Sequence, residues 1–166
     1  MMKPKFLIFC CITIGIAVMI FYLSSQPAST SSEVSNVFVE KIIETVLQTA
    51  TPREVELLTF LVRKAAHFTE YLLLALFLGL TLRERPNALP KSIQNGRSLS
   101  AQKKAEALLC FLICTLYACS DEIHQHFVPG RSGEIRDVLI DAAGAFLGIL
   151  LLSLYDRHSS RRTAAR

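Results

Sequence analysis

FLVRKAAHFTEYLLLALFLGLTL, Phe60 to Leu82, decides how this chain folds. Its 23 residues match the length of about 20 that an α-helix needs to cross the hydrocarbon core of a bilayer. The second half is almost wholly apolar, whereas the first half carries Arg63, Lys64, His67 and Glu70. From Tyr71 to Leu82 there are only 12 residues, about 18 Å of helix against a core of about 30 Å. His67 and Glu70 are therefore expected below the membrane boundary. Ionisable groups at that depth are costly and call for a pairing or functional reason.

Working outward, three more segments read the same way: about Phe6 to Leu23, Ala105 to Phe127, and Ile135 to Tyr155. Apolar residues make up 51% of the 166 and concentrate in these blocks. The expected fold class is all-α, a four-helix transmembrane bundle. The first segment is long for a signal-peptide core and no clear small-residue cleavage site follows it, so it is read as a retained span. The net charge of +4 sits beside the apolar blocks, which argues against nucleic acid as a partner. The five cysteines, Cys10, Cys11, Cys110, Cys114 and Cys119, all fall inside apolar segments without metal-site spacing. They read as buried thiols without a disulfide.

Loop charges set an orientation. Lys3 and Lys5 precede the first span; Arg83, Arg85, Lys91, Arg97, Lys103 and Lys104 lie between the second and third; Arg157, Arg161, Arg162 and Arg166 follow the fourth. The positive-inside rule makes all three stretches cytoplasmic, with both termini inside. The loop after the first span carries Glu33, Glu40, Glu44, Glu54 and Glu56 against Lys41 and Arg53, and is expected outside. Within it, Val34, Val37, Phe38, Ile42 and Val46 recur near helical spacing over Glu33 to Gln48. That predicts an amphipathic helix on the outer face, lying on the membrane or capping the bundle. Arg85 to Ser100 reads as a flexible connector.

This orientation puts a second polar stretch at the same end as the first: Asp121-Glu122-x-His124-Gln125-x-Phe127-Val128-Pro129-Gly130-Arg131, continuing to Asp137 and Asp141. Arg63, His67 and Glu70 share one helical face, as do Asp137, Asp141, Gly144 and Gly148. The glycine pair lets another helix approach closely. Asp141 is followed by 14 residues through Tyr155, about 21 Å, and is expected submerged; Asp121 and Glu122 are expected nearer the surface. Tyr71 and Tyr155 read as membrane anchors, His126 as exposed at the interface, and Glu134 as a carboxylate at a helix start.

These residues resemble the VanZ-like family, in the four spans, in Ser24-Ser25-Gln26-Pro27 after the first, in Arg63-Lys64-x-x-His67-Phe68-x-Glu70-Tyr71, and in the Asp121 to Arg131 run with Asp137 and Gly144. The resemblance implies one VanZ-like membrane domain over 1–158, followed by a basic cytoplasmic tail over 159–166. It also implies a bacterial cytoplasmic-membrane protein of the cell envelope. The founding member of that family is linked to resistance to the glycopeptide antibiotic teicoplanin.

The residue types allow several chemistries. His67, Glu70, Asp121, Glu122 and His124 are candidates for general acid–base work, and with Asp137 and Asp141 could hold a divalent cation. Arg63, Lys64, Gln125, Arg131, Asp137 and Asp141 are candidates for holding a substrate, the bases suiting phosphate. Three readings stay open: an enzyme acting on an envelope lipid or lipid-linked precursor, a non-catalytic binder of such a ligand, and an ion-pair network fixing the bundle. In the last, Arg63 or Lys64 would pair with Asp121, and Arg131 or Arg136 with Asp137 or Glu70. A carrier would need an oligomer. Nucleotide loops, nucleophile elbows and HExxH are missing from the sequence, which argues against soluble hydrolase classes.

Overall fold

A computed structural model describes residues 4–47, 49–85 and 99–164. Among the described residues five α-helices occur in order: α1 Pro4–Ser24, α2 Ala28–Ile42, α3 Pro52–Glu84, α4 Leu99–Gln125 and α5 Ile135–Ala164. A short π-helical stretch, Ile43–Leu47, continues α2, and no strand occurs among the described residues. Among the described residues four helices are long and apolar enough to cross a membrane: α1, α3, and the parts of α4 and α5 over Ala101–Gln125 and Ile135–Ser159. The expected connector, Arg85 to Ser100, falls outside the described residues except at its two ends.

The helices outrun the apolar segments for local reasons. α3 begins eight positions before Phe60 because Thr51, Pro52 and Glu54 form a complete start signal. The Thr51 hydroxyl accepts from the Glu54 amide, the Glu54 carboxylate accepts from the Thr51 amide, and proline occupies the first turn. Such a reciprocal cap satisfies two orphan amides of the first turn. The third span was expected to reach Phe127, but α4 stops at Gln125. The chain then turns through Pro129 and Gly130, the latter at φ +75°, a backbone region that glycine enters without strain.

α3 is the hub, packing on α1, α2, α4 and α5. Its closest partner is α5, and two glycines make that possible. A Cβ on Gly144 would strike the Phe68 carbonyl, and one on Gly148 the Leu72 carbonyl, so α5 lies directly against the α3 backbone. The same face carries Asp137 and Asp141, and all four positions are buried. The core is built of Ile20, Tyr71, Leu74, Ala75, Cys110, Cys114, Ala118 and Ala145. All five cysteines are free, and Cys110 and Cys114 belong to that core.

Hydrogen bonds tie the spans together. Tyr117 donates to the Ala17 carbonyl at 2.7 Å, Cys110 to the Ala75 carbonyl at 3.4 Å, and the Thr13 and Thr81 hydroxyls meet at 3.1 Å. The outward faces are covered with large apolar side chains, among them Val18, Leu116, Leu139 and Phe146. That surface suits lipid tails rather than water.

Two sequence expectations are corrected. Tyr71 is not an anchor: it is fully buried, and its ring sits 6.2 Å from that of Tyr117. Tyr155 is 70% exposed. The amphipathic helix begins at Ala28, five residues earlier than expected, and its apolar stripe does not face the bundle. Val34, Val37 and Phe38 are exposed, while Ser35 and Val39 are buried. Small side chains on the buried face let α2 lie close to α3, where Thr59 donates to Asn36 at 3.0 Å.

Candidate functional site

The end of the bundle where α1 and α4 finish and α5 begins gathers the polar residues into four distinct groups. Their separation is what sequence spacing did not reveal.

The first group is a clamp around Asp121. Ser24, the last residue of α1, donates to Asp121 Oδ2 at 2.8 Å. Gln125, one turn along α4, donates to the same oxygen at 3.0 Å and to Glu122 Oε1 at 3.3 Å. Arg131 closes the ring, donating to Gln125 Oε1 at 3.1 Å and to the Leu23 carbonyl at 3.2 Å. Glu122 Oε2 accepts the Glu134 amide at 2.9 Å, fixing the entry to α5. Glu134 stands at the start of α5 as expected, and its carboxylate pairs there with Arg136 at 2.9 Å. Asp121 and Glu122 are 3% and 5% exposed. The fold covers them with α1 and the loop before α5.

The second group is one ion pair. Lys64 Nζ donates to both carboxylate oxygens of Asp137, joining α3 to the start of α5. The pairings expected from sequence, Arg63 or Lys64 with Asp121 and Arg131 or Arg136 with Asp137 or Glu70, give way to these. The reason is rotational: close packing at Gly144 fixes how α5 turns toward α3, and puts Asp137 opposite Lys64.

The third group surrounds a cavity of about 140 Å³ between α1, α2, α3 and the turn before α5. Arg63, His67 and Glu70 line it from α3, Arg131 from the turn, and Ser31 and Ser35 from α2. Behind His67 lies Asp141, with no exposed surface. His67 Nδ1 and Asp141 Oδ1 are 3.8 Å apart, beyond hydrogen-bond range. His67 Nδ1, both Asp141 oxygens and the Tyr71 hydroxyl are buried without a hydrogen-bond partner among the described residues. Arg131 Nε is in the same position, and burial, followed by the charge of Arg63, lowers the Arg131 pKa. Two cations facing one cavity favour an anion between them.

The fourth group holds His124 apart. Its Nε2 lies 3.0 Å from the Ser25 hydroxyl, and its ring stacks on Phe21 at 4.7 Å. His124 does not line the His67 cavity. His126 is exposed and sits edge-on to Phe127. Of the residues singled out in sequence, Arg63, His67, Glu70 and Arg131 therefore share the cavity, with Asp141 adjoining it. Asp121, Glu122 and Gln125 do not line it; they are tied to it through Ser24 and Arg131, which do. Among the described residues no group of three or more His, Cys, Asp or Glu side chains is placed to share a metal ion, so no ligand set is assigned.

Sequence reasoning missed two members. Ser24 was a motif letter and proves to be the hydroxyl that anchors Asp121. Tyr71, one position after Glu70 on α3, has a buried hydroxyl with no hydrogen-bond partner among the described residues. The available signal for Ser24 was its place as the first polar residue after the long apolar run of α1.

No curated protein matches the chain, and no solved structure matches it. A family model described as VanZ/LLP1 matches residues 9–156. That match starts within α1 and ends within α5, taking in all four membrane-length helices and every residue of the polar end. The chain therefore belongs to the VanZ/LLP1 family, as a multi-pass membrane protein.

Proposed function

We propose that the polar end faces outward from a bacterial cytoplasmic membrane and binds the head group of an envelope lipid or lipid-linked precursor. One observation carries this reading: a fully buried carboxylate, Asp141, and the imidazole nitrogen facing it have no hydrogen-bond partner, and they stand behind a cavity lined by two arginines. A buried polar group left unsatisfied costs about 1–3 kcal/mol, and a purely structural network has no reason to retain several. A ligand with an anionic group for Arg63 and Arg131 and a hydroxyl or amine for Glu70 and His67 would complete the set.

The orientation rests on the basic stretches at the other end of the bundle. α2 supports it as well. Its exposed Val34, Val37 and Phe38 suit the lipid interface beside the cavity, while Ser31 and Ser35 look into it. A ligand from the outer leaflet would enter under this helix. His67 and Glu70 are the pair able to move a proton on such a ligand. A catalytic reading therefore assigns them, and not His124, the acid–base work; Asp121, Glu122 and Gln125 act as positioning residues. Lower sensitivity to teicoplanin is the cellular consequence this reading anticipates.

The test uses full-length protein in lipid nanodiscs loaded with an envelope lipid extract, followed by mass spectrometry of what is retained. Retention lost in His67→Ala and Glu70→Gln, with both variants still monodisperse, supports the reading. A chemically altered lipid would mark an enzyme, and an unchanged one a binder. Wild-type protein that retains nothing, in cells whose teicoplanin sensitivity is unmoved by its expression, would sink it.

A further inference from the structure

A larger cavity, about 450 Å³, lies at the opposite end of the bundle among α3, α4 and α5. Its rim and floor differ in kind. Ala107, Cys110, Ile149 and Leu152 make an apolar floor, and Arg83, Lys103, Lys104 and Arg157 stand around it with Glu106 and Asp156. The lining thus holds four cations and two carboxylates, a formal excess of two positive charges.

The carboxylates are already engaged. Asp156 takes Arg83 at 3.1 Å and Lys103 at 3.3 Å, and Glu106 takes Arg85 at 3.6 Å. Lys104 and Arg157 are exposed and have no ion-pair partner among the described residues. Two uncompensated cations therefore overhang an apolar slot, on a molecule whose flanks are covered with lipid-compatible side chains. The complementary occupant has one anionic head and an apolar tail. A free phosphate would leave the floor empty, and a neutral lipid would leave Lys104 and Arg157 unmatched.

We infer that this cavity is a binding site for one anionic phospholipid, its phosphate between Lys104 and Arg157 and an acyl chain over Ala107, Ile149 and Leu152. The site is independent of the polar end: none of its residues belongs to the His67 cavity. Each cation beside an anionic lipid contributes about fivefold in affinity, so the unpaired two together supply about twenty-fivefold.

Full-length protein is placed in nanodiscs of phosphatidylcholine and phosphatidylglycerol, and native mass spectrometry counts the lipid retained. One phosphatidylglycerol is expected to stay bound in preference to phosphatidylcholine, and millimolar inorganic phosphate should not displace it. Lys104→Gln with Arg157→Gln should lower retention by about twenty-fivefold, and Ala107→Phe should lower it by filling the slot with all charges kept. Lys5→Gln with Arg162→Gln removes the same charge outside the cavity and should leave retention unchanged. Equal retention of the two lipids, displacement by phosphate, or an equal loss in the Lys5 and Arg162 variant would overturn the assignment. Circular dichroism and elution profile confirm that each variant compared is folded.

Discussion

Asp141 Oδ1 stands 3.8 Å from His67 Nδ1, and neither atom has a hydrogen-bond partner among the described residues. They are brought together across the close contact of α3 with α5, one turn from where Gly144 rests on the Phe68 carbonyl. The gap is not slack packing, because the backbones of α3 and α5 approach closely at Gly144 on one side of it and the Lys64–Asp137 ion pair closes the other. It is a rigid frame around two groups that want a third.

Asp141→Asn separates a ligand-binding role from a structural one. The change keeps shape and removes an acid group from a place with no exposed surface. That group makes no hydrogen bond among the described residues, so the variant is expected to be as stable as the parent. Lipid retention in the polar cavity should nevertheless fall at least about tenfold, the loss of one charge-assisted hydrogen bond. Thermal unfolding in detergent reads the first effect. A midpoint lowered by more than about 3 °C, roughly 1 kcal/mol for a chain of this size, would mean that Asp141 holds the bundle together.

Ser24→Ala should damage the clamp, and Ser25→Ala should not. Ser24 Oγ is buried and donates to Asp121 Oδ2, whose companion Oδ1 is already unpartnered. Losing that donor leaves the carboxylate with Gln125 alone and costs about 1–3 kcal/mol. Ser25 reaches the Phe21 carbonyl and His124 at the exposed edge of the bundle. Its loss should stay within about 0.5 kcal/mol. Equal effects in the two variants, measured by thermal unfolding, would remove Asp121 from the centre of the clamp.

Gly144→Ala should cost more than any surface change. The new methyl would meet the Phe68 carbonyl oxygen, which is backbone and cannot swing away. α5 would have to move off α3, at about 1–3 kcal/mol or more. His67 and Asp141 would part with it, so lipid retention should fall together with the unfolding midpoint. Gly15→Ala is the control: nothing lies within 4 Å of its added carbon, and alanine is the better helix former by about 1 kcal/mol. That variant should match or exceed the parent in stability.

The spans, the Gly144 to Gly148 contact and the shared face of Asp137 and Asp141 were all legible in sequence. Each depends on periodicity within one helix. What stayed hidden depends on how neighbouring helices are rotated. Lys64 and Arg63 are adjacent letters, yet only Lys64 reaches α5, while Arg63 turns to the cavity under α2. His124 and Gln125 are adjacent too, and face different partners. Counting residues along α4 spoke to the depth of Asp121 and Glu122 in a membrane and not to their cover by neighbouring elements. Burial there comes from Ser24 and the turn through Arg131, not from distance along α4. For α2 the sequence left two placements open, on the membrane or capping the bundle. Its exposed Val34, Val37 and Phe38 suit the first, since lipid outside removes the usual reason for apolar side chains to turn inward.

Lys64 and Asp137 offer the sharpest test of that rotational setting. The pair is partly buried, with 19% and 12% of the side chains exposed. Lys64→Met should leave the Asp137 carboxylate facing an apolar wall, and Asp137→Asn should leave an unmatched ammonium. Each should destabilise the protein by about 1–3 kcal/mol. The double variant should recover most of the loss, since removing both charges removes the desolvation cost along with the attraction. A double-mutant cycle on unfolding midpoints should thus give a coupling of about 1 kcal/mol or more. The same cycle on Lys64 and Asp121, one of the pairings that the sequence allowed, should give none. A coupling to Asp121 larger than that to Asp137 would mean that α5 is turned differently against α3, and the His67 cavity would have to be redrawn with it.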